Sequence, residues 1–407
     1  MKQQRSLPKA TVTAKAQRLL QGGHPWVYDT EVVKIEGNWE NGDLVDVISV
    51  KGAYLGTGFL SETSKIRIRV FSRNANDRFD AAFWERRLRY AWEYRKTVMG
   101  SDIGCCRIIF GEADSFPGLT VDRFGDVLVA QVLSVGIEKI KEELFQLLWK
   151  VLEEDGQEIR GIYERNDLAI RELEGLAQSK GWFSKKAGAS DSTVTEICEN
   201  GIRYLVDFEN GQKTGFFLDQ KYNRQAVARL ANDKRVLDCF THTGSFALNA
   251  AKGGAVHVRA VDISESAVEL ARENARRNGL ENRMEFTAAN VFDLLPALET
   301  GPERYDFIIL DPPAFTKSRR TVESAARGYK EINLRAMRLL PRGGYLATCS
   351  CSHFMRDELF VKMLREAAHD ANVQLRQIEA RQQSPDHPIL WNVPETDYLK
   401  FYLFQVV

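Results

Sequence analysis

Residues 236–255 read VLDCFTHTGSFALNAAKGGA and decide the fold. Residues 236–238 form an apolar run that ends in an acid, and a turn rich in Thr, Gly and Ser follows. A helix of small residues comes next, and a second apolar run, 258–262, again ends in an acid. This order predicts the first βαβ unit of a doubly wound sheet, in which a ligand binds at the carboxyl ends of the strands.

The same alternation of strand and helix continues to residue 407, which predicts an α/β fold with a mostly parallel sheet. The predicted strands are 235–238, 257–261, 284–287, 305–310, 344–349 and 398–406, and the predicted helices are 221–231, 245–252, 265–278, 291–298, 323–340 and 356–370. The strand at 398–406 is expected to close the sheet as an antiparallel partner.

The first turn of this sheet disfavours a dinucleotide because it lacks the GxGxxG pattern that cradles a pyrophosphate. S-adenosylmethionine has no pyrophosphate and fits the turn better. Asp262 ends the second strand, where a carboxylate can bind vicinal ribose hydroxyls. Asn290 follows the third strand, where its amide and the backbone N–H of Val291 can recognise adenine. The sequence therefore predicts an S-adenosylmethionine site.

Two side chains are candidates for the chemistry. Asp311, in the Asp-Pro-Pro motif, follows the buried fourth strand and is expected to direct its carboxylate at the reaction site. Cys351 lies just past the fifth strand, so we expect it to be partly exposed and close to Asp311. A reactive cysteine needs an electropositive or hydrogen-bonded setting, which His353 and the basic segment 315–342 can supply.

The N-terminal 78 residues carry a net charge of +4 and contain short, Gly-punctuated strands at 11–13, 43–49, 54–60 and 65–71. This pattern predicts a small β-barrel. Its last strand alternates basic and apolar residues, which gives one buried and one cationic face. On residues 23–28 (GHPWVY), 42–47 (GDLVDV) and 56–59 (GTGF), the segment resembles a PUA domain, an RNA-binding barrel.

A small α+β module is expected to follow the barrel, with a helix at 79–99, four strands and a helix near 137–152. The polar stretch 180–195 is interpreted as a linker or surface loop between domains. The sequence therefore predicts three domains: a PUA-like domain at 1–78, a middle module at 79–185 and a third domain at 186–407.

Composition limits the function classes. The 407 residues are 44% hydrophobic, and 56 basic residues balance 56 acidic ones, so net charge identifies no partner. Six cysteines without CxxC spacing predict neither a disulfide framework nor a metal site. No signal-peptide core or 18-residue apolar run is present, so we expect a cytoplasmic protein without membrane contact. Its oligomeric state stays open, with a homodimer among the options.

Nearly the whole chain resembles the PUA-containing 23S ribosomal RNA cytosine-5 methyltransferases, the RlmI-like family. The motifs that carry the resemblance are GHPW at 23–26, KTGFFLDQ at 213–220, DCFT at 238–241 with GSF at 244–246, DPPAF at 311–315 and SCS at 350–352. The resemblance implies a class I, Rossmann-like methyltransferase domain that uses S-adenosylmethionine on an unpaired or flipped cytosine of large-subunit ribosomal RNA.

The resemblance also assigns roles. Cys351 is the implied nucleophile, Asp311 the motif acid, and Asp262 the ribose ligand, with Gln220 and Arg224 over the methionine end of the cofactor. Cys349 departs from the pattern. The full set of cofactor-binding residues implied is Gln220, Arg224, Asp238, Phe240, Thr241, Gly244, Ser245, Phe246, Asp262, Ile263, Asn290, Val291 and Asp311.

Three other functions remain open. A guanine or adenine methyltransferase could share this fold, but it would not need Cys351. A PUA-type RNA-binding or ribosome-assembly factor without catalysis would not need an intact cofactor site. A nicotinamide-dependent oxidoreductase is the least favoured, because the pyrophosphate-binding glycines are missing.

Overall fold

The computed structural model describes residues 6–316 and 318–407. These form two compact units. The first unit comprises the described part of Met1–Ile197 with Val206–Leu218 and Pro385–Thr396; the second comprises Cys198–Leu205, Asp219–Ser384 and Asp397–Val407. The division into three domains at residues 78 and 185 stays a prediction. None of the helices in the described ranges combines the length and apolar character that a membrane crossing needs.

The first unit begins with a β-rich module, as predicted. Its elements are β1 (Lys9–Val12), α1 (Ala14–Gln21), β2 (Trp26–Tyr28), β3 (Val32–Glu36), β4 (Leu44–Ser49), β5 (Tyr54–Leu60) and β6 (Ile66–Ser72). They build a six-stranded sheet in the order β2-β6-β5-β4-β1-β3. Val45, Val47 and Ile68 belong to its buried core. Helix α1 and strand β3 are additions to the predicted elements.

The two arginines of the cationic face predicted for β6 are held by other groups of the first unit, and acids neutralise one of them. Arg69 lies 3.2 Å from a carboxylate oxygen of Glu112 and 3.0 Å from one of Glu174, and only 13% of its side chain is exposed. Arg67 donates to the carbonyl oxygen of Glu62 and lies over the ring of Trp39. Arg69 therefore holds parts of the first unit together and is not free to bind phosphate.

The rest of the first unit is the predicted α+β module. Its elements are α2 (Ala81–Met99), β7 (Cys105–Phe110), β8 (Leu119–Phe124), β9 (Val127–Val132), α3 (Val135–Glu154), β10 (Gly161–Asn166) and β11 (Ser179–Lys185). The sheet order is β11-β10-β9-β8-β7. The linker prediction for 180–195 is wrong over its first residues, because β11 pairs with β10 and Trp182 packs edge-on against Tyr163.

A two-stranded sheet of β12 (Val194–Glu199) and β13 (Ile202–Asp207) follows. The remaining elements belong to the second unit: α4 (Lys221–Leu230), β14 (Arg235–Cys239), α5 (Ser245–Lys252), β15 (His257–Asp262), α6 (Glu265–Arg277), β16 (Met284–Ala288), α7 (Val291–Thr300), β17 (Phe307–Leu310), α8 (Val322–Leu339), β18 (Tyr345–Ser350), α9 (Asp357–Ala371), β19 (Leu375–Arg381) and β20 (Lys400–Val406).

The sheet of the second unit has the order β16-β15-β14-β17-β18-β20-β19. Strands β14 to β18 run parallel, while β20 pairs antiparallel with β18, as predicted. All four residues of β17 are buried, as expected for a central strand with helices on both faces. The carboxyl ends of β14, β15, β17 and β18 therefore lie along one edge, where the predicted site residues meet.

Candidate active site

Asp238, on β14, is the most deeply enclosed acid at this edge. Its side chain is fully buried. One carboxylate oxygen, Oδ2, accepts hydrogen bonds from the Thr241 hydroxyl at 2.5 Å and from the backbone N–H of Ala247 at 2.9 Å. The other oxygen, Oδ1, is buried without a partner among the described residues. A buried acceptor of this kind calls for a donor from a ligand.

The turn after β14 is held in an unusual backbone conformation. Phe240 and His242 are non-glycine residues with φ of 64° and 50°, and Gly244 has φ of 82°. A Cβ atom at Gly244 would lie 2.9 Å from Cβ of Ala271, so only glycine fits here without displacing α6. Left-handed backbone at non-glycine residues is costly and concentrates at functional sites.

Asp262 fixes this turn to the neighbouring strand. Its two carboxylate oxygens accept backbone N–H bonds from His242 at 2.9 Å and from Ser264 at 3.0 Å. Each carboxylate oxygen has a further lone pair, so the predicted contact with ribose hydroxyls is still open to Asp262. The next residue, Ile263, is 74% exposed and offers an apolar surface to a flat ring.

The residues predicted to recognise adenine have mainly local roles. Asn290 is the N-cap of α7: its amide oxygen accepts from the N–H of Phe292 at 3.1 Å, and its Nδ2 donates to Asp293 at 2.9 Å. The side chain of Val291 is buried in the hydrophobic core. Only main-chain atoms of Val291 are thus left for the predicted contact.

Asp311 follows β17 and joins Gln220 at the edge. Nε2 of Gln220 donates to Oδ1 of Asp311 at 3.0 Å, and the Gln220 amide oxygen accepts from Asn223 at 2.6 Å. Burial, followed by the negative charge of Asp219, raises the pKa of Asp311 to about 6. Burial is also the main reason that the pKa of Asp238 is raised to about 7, with the charge of Asp311 contributing.

Arg224 forms a buried ion pair. Its NH1 atom lies 2.6 Å from a carboxylate oxygen of Glu199, and both side chains are at most 2% exposed. Burial alone would lower the pKa of Arg224, but the charge of Glu199 outweighs it and the pKa is raised. Arg224 also lies over the ring of Phe246, which stacks on Phe401. Arg224 and Phe246 therefore build the wall of the site.

Ser245 and Thr241 are buried as well. Ser245 begins α5, and its carbonyl oxygen accepts from Asn249 at 2.8 Å. Phe240 is half-buried and packs against Phe315. Of the residues predicted in the first turn, Thr241 contacts Asp238 directly through Oδ2.

The two cysteines at the end of β18, one inside the strand and one just after it, differ in environment. Cys349 is fully buried, and burial followed by the charge of Asp311 raises the pKa of its thiol well above the usual value. Cys351 comes directly after the strand and is half-buried, with its sulfur 4.0 Å from the carbonyl oxygen of Pro312. The prediction that Cys351 is partly exposed is confirmed. Its sulfur lies beside Pro312, the residue after Asp311.

Lys400 is a functional candidate that the sequence reasoning missed. Its Nζ donates to the carbonyl oxygens of Ser352 at 2.8 Å and Tyr398 at 3.0 Å. Burial lowers the pKa of Lys400 to about 8, and Cys351 is among the groups close enough to affect it. An ammonium beside a thiol favours the thiolate. The signal in the sequence was a single basic residue at the start of an apolar strand, within TDYLKFYLFQVV at 396–407.

The described residues fit S-adenosylmethionine. Asp219, Asp238 and Asp311 place several carboxylates in one crevice, with the pKa values of Asp238 and Asp311 raised, and S-adenosylmethionine carries a sulfonium and an amino group. Oδ1 of Asp238 lacks a donor, which the ligand can supply. The exposed Ile263 provides an apolar contact beside Asp262. The positive charges of the cofactor would therefore compensate the carboxylates at this edge of the sheet, and its donors could bond to Oδ1 of Asp238.

A pH dependence of cofactor affinity follows. Asp238 and Asp311 have raised pKa values of about 7 and about 6, so both become negative as the pH rises through that range. A cationic ligand binds the ionised forms better, and we expect its Kd to fall about tenfold between about pH 5 and about pH 7.5. Isothermal titration calorimetry checks this.

The matched control is Asp238→Asn, which should weaken binding and flatten its pH profile. An affinity for S-adenosylmethionine that stays constant over this pH range would contradict the electrostatic account. The same raised pKa values make the ligand-free protein less stable as the pH rises from about 4 to about 7, because the unfolded chain loses these protons first.

Comparisons with known proteins agree with this geometry. A family model described as S-adenosylmethionine-dependent methyltransferase matches residues 177–405, and one described as PUA-like domain matches residues 10–73. Ribosomal RNA large subunit methyltransferase I of Klebsiella pneumoniae (strain 342) is 38% identical over 402 residues, 98% of each chain. The protein of the same name from Aeromonas salmonicida (strain A449) is 41% identical over 379 residues, 93% of this chain and 94% of that one.

The fold is also found among solved structures. A crystal structure of a methyltransferase complexed with SAH superposes with a TM-score of 0.83 at 23% identity, covering 98% of this chain and 100% of the other. At that identity the likeness concerns the fold. The family model spans more than half of the chain, and the named relatives match nearly all of it. The chain therefore belongs to the S-adenosylmethionine-dependent methyltransferases and, among them, to the ribosomal RNA large subunit methyltransferase I family.

Proposed function

We propose that this protein methylates C5 of a cytosine in large-subunit (23S) ribosomal RNA, through a covalent bond between Cys351 and C6 of the base. The observation that carries the proposal is the half-buried thiol of Cys351 beside the carbonyl oxygen of Pro312. The rRNA substrate is taken from the name that the relatives bear. Their action on rRNA also implies a cytoplasmic site of action.

Cytosine C5 is a weak nucleophile, and this determines what the protein has to do. When the Cys351 thiolate adds to C6, a C–S bond forms and the electron pair of the C5=C6 bond moves toward C5. S-adenosylmethionine, when bound, supplies an electrophilic methyl group. Loss of the C5 proton and expulsion of the Cys351 sulfur then restore the aromatic base. Covalent catalysis of this kind divides one difficult step into easier ones.

Cys351 is better suited to this role than Cys349. The Cys349 thiol is fully buried and its pKa is raised well above the usual value, so its thiolate is disfavoured. Cys351 is half-buried and has the Lys400 ammonium near it. A cation beside a partly exposed thiol is the arrangement that favours a reactive cysteine.

Asp311 is proposed to orient the base. A carboxylate can accept a hydrogen bond from the exocyclic N4 amino group of cytosine. Gln220 donates to Oδ1 of Asp311, and the Cys349 thiol is a second hydrogen-bond partner of this carboxylate. A carboxylate has about four lone-pair sites, so a further contact with the base is open to it. C5 and C6 of a paired base are stacked inside a duplex, so the substrate cytosine is expected to be unpaired or flipped out of its helix.

The product identifies the reaction. We expect large-subunit rRNA from a strain that lacks this enzyme, incubated with the protein and isotopically methyl-labelled S-adenosylmethionine, to yield labelled 5-methylcytidine by nucleoside mass spectrometry. Bisulfite sequencing then locates the base. A labelled methylguanosine instead would overturn cytosine C5 as the target. Bound S-adenosylmethionine and bound RNA with no label transferred would support a non-catalytic RNA-binding protein.

A further inference from the structure

Two neighbouring clefts open on the first unit. One, of about 440 Å³, is lined by Arg86, Arg87 and Tyr90 of α2 and by Ser115. The other, of about 310 Å³, is lined by Arg73, Ser115 and Trp391 among others. Because Ser115 lines both clefts, they adjoin. We call Arg73, Arg86, Arg87, Tyr90 and Trp391 the arginine–tryptophan surface.

The arginines of this surface differ from other arginines of the first unit. Arg95 is paired with Asp114 and Arg107 with Asp122. Among the described residues, no hydrogen bond or ion pair is found for Arg73, Arg86 or Arg87. Three cations at adjoining clefts, without a hydrogen-bond or ion-pair partner among the described residues, can bind anions of another molecule.

Arg86 and Arg87 are also close to each other. Their guanidinium carbons lie 5.5 and 4.5 Å from the centroid of the same ring, that of Phe83. Burial lowers the pKa of Arg87 to about 10, an effect that the charge of Asp77 opposes and that of Arg86 reinforces. A bound anion would relieve both the desolvation and the repulsion between the two arginines.

The acids that line the clefts are engaged by other groups. Asp77 accepts from the Ser72 hydroxyl at 2.6 Å and from the Asn74 amide at 3.0 Å. Glu112 accepts from the Trp26 indole N–H at 2.9 Å and from Arg69. Asp114 is held by Arg95. Arginines outside this surface therefore pair with Glu112 and Asp114. Asp77 keeps its charge, but the three arginines of the surface outnumber it.

Two aromatic side chains of the surface lie in solvent. Trp391 is 95% exposed and Tyr90 is 67% exposed. Exposed aromatic rings beside arginines are the combination by which proteins bind single-stranded nucleic acid, with cations on phosphates and rings stacked on bases. A cleft of about 310 Å³ is of a size that accepts a small ligand such as one nucleotide.

We propose that the arginine–tryptophan surface binds a single-stranded segment of the substrate RNA, with Arg86 and Arg87 on backbone phosphates and Trp391 stacked on an unpaired base. This inference rests on the proposed function, since it assigns the RNA contact to the same enzyme. It assigns that contact to arginines other than Arg69, which acids hold. Arg73 lines the Trp391 cleft and supplies a further cation there.

The test is filter binding of full-length 23S rRNA transcript to the full-length protein over a range of salt concentrations. For Arg86→Gln/Arg87→Gln we expect Kd to rise at least about tenfold and the slope of log K against log salt to decrease by about 1 to 1.5, as two phosphate contacts are lost. For Trp391→Ala we expect Kd to rise roughly five- to 150-fold with the slope unchanged.

The matched control is Arg89→Gln on the same helix. Arg89 is paired with Glu85 and Glu154, so its loss should change the Kd for RNA less than about twofold. Affinity for S-adenosylmethionine and the melting temperature report whether each variant is folded. Trp391 is almost fully exposed, so its replacement by alanine should leave the fold intact. Trp391→Ala therefore tests the inference even if the double arginine variant does not fold.

The outcomes separate this inference from the function on which it rests. If the wild-type protein neither binds nor methylates the rRNA, the proposed function fails. If it does both, and Trp391→Ala and folded Arg86→Gln/Arg87→Gln retain wild-type Kd within twofold, the RNA contact lies elsewhere and this inference is overturned. The inference would also be overturned if Arg89→Gln lost as much RNA affinity as the double variant. Loss of positive charge anywhere on the helix would then explain the weaker binding.

Discussion

Replacement of Cys351 by alanine should abolish methyl transfer while affinity for S-adenosylmethionine stays within about twofold of wild type. The sulfur is the group that adds to cytosine C6, and alanine has no atom that can form this bond. Loss of a nucleophile that acts covalently costs at least about a thousandfold in rate. Isotope transfer to rRNA measures the rate, and calorimetry measures cofactor affinity.

Cys349→Ala provides the matched control, because Cys349 lies two residues away and is fully buried. The methylation rate of Cys349→Ala should stay within about tenfold of wild type. The substitution removes a buried sulfur that contributes to packing, but it removes no atom that reacts. Methylation by Cys351→Ala above a few per cent of wild type would move the nucleophile to Cys349 or disprove the covalent mechanism. RNA with fluorine at C5 of the target base should form a stable adduct with wild type and none with Cys351→Ala.

Asp311→Asn should reduce kcat by about 10²–10³, as the loss of a well-placed electrostatic contact does. Asparagine keeps the size of the side chain but replaces an anionic acceptor by an amide that carries two N–H donors. One face of Asp311 already receives the Gln220 N–H, and the other is proposed to receive the cytosine amino group. If the N–H donors of the new asparagine face the Gln220 N–H or the cytosine amino group, two donors meet and that hydrogen bond is lost.

Asp306→Asn is the control for this substitution. Asp306 stands just before β17 while Asp311 stands just after it, so the two lie at opposite ends of one strand. Oδ2 of Asp306 accepts the backbone N–H of Arg235 at 2.9 Å, a role that an asparagine oxygen can retain. Single-turnover rates at saturating cofactor separate chemistry from binding. If Asp311→Asn weakens only cofactor affinity and keeps kcat within tenfold, Asp311 does not orient the base.

The sequence predicted the second unit well because its signals are local. Strand β17 is an apolar run followed at once by Asp311-Pro312-Pro313, and β14 is an apolar run that leads into a glycine-containing turn. Where such a strand lies and where it ends can be predicted from consecutive residues of the chain alone. In contrast, β19 has alternating polar residues and was not predicted, since it becomes a strand by pairing with β20.

Charge pairing was much less predictable than secondary structure. Arg69 and Arg87 are both basic residues near apolar ones in the sequence, yet Arg69 meets two carboxylates and Arg87 meets none among the described residues. Glu174, one partner of Arg69, is 105 positions away in the chain. Lys400 is a similar case, because its closeness to Cys351 depends on the antiparallel pairing of β20 with β18.

The raised pKa values of Asp238 and Asp311 also bear on turnover. The methyl donor carries a sulfonium charge, and its demethylated product is a neutral thioether at the same sulfur. Buried carboxyls with raised pKa values ionise more readily beside a cation than beside a neutral group, so the crevice binds the donor more strongly than the spent product. Methyl transfer removes the sulfonium charge, so the reaction itself weakens the binding of its product, and fresh donor can displace it.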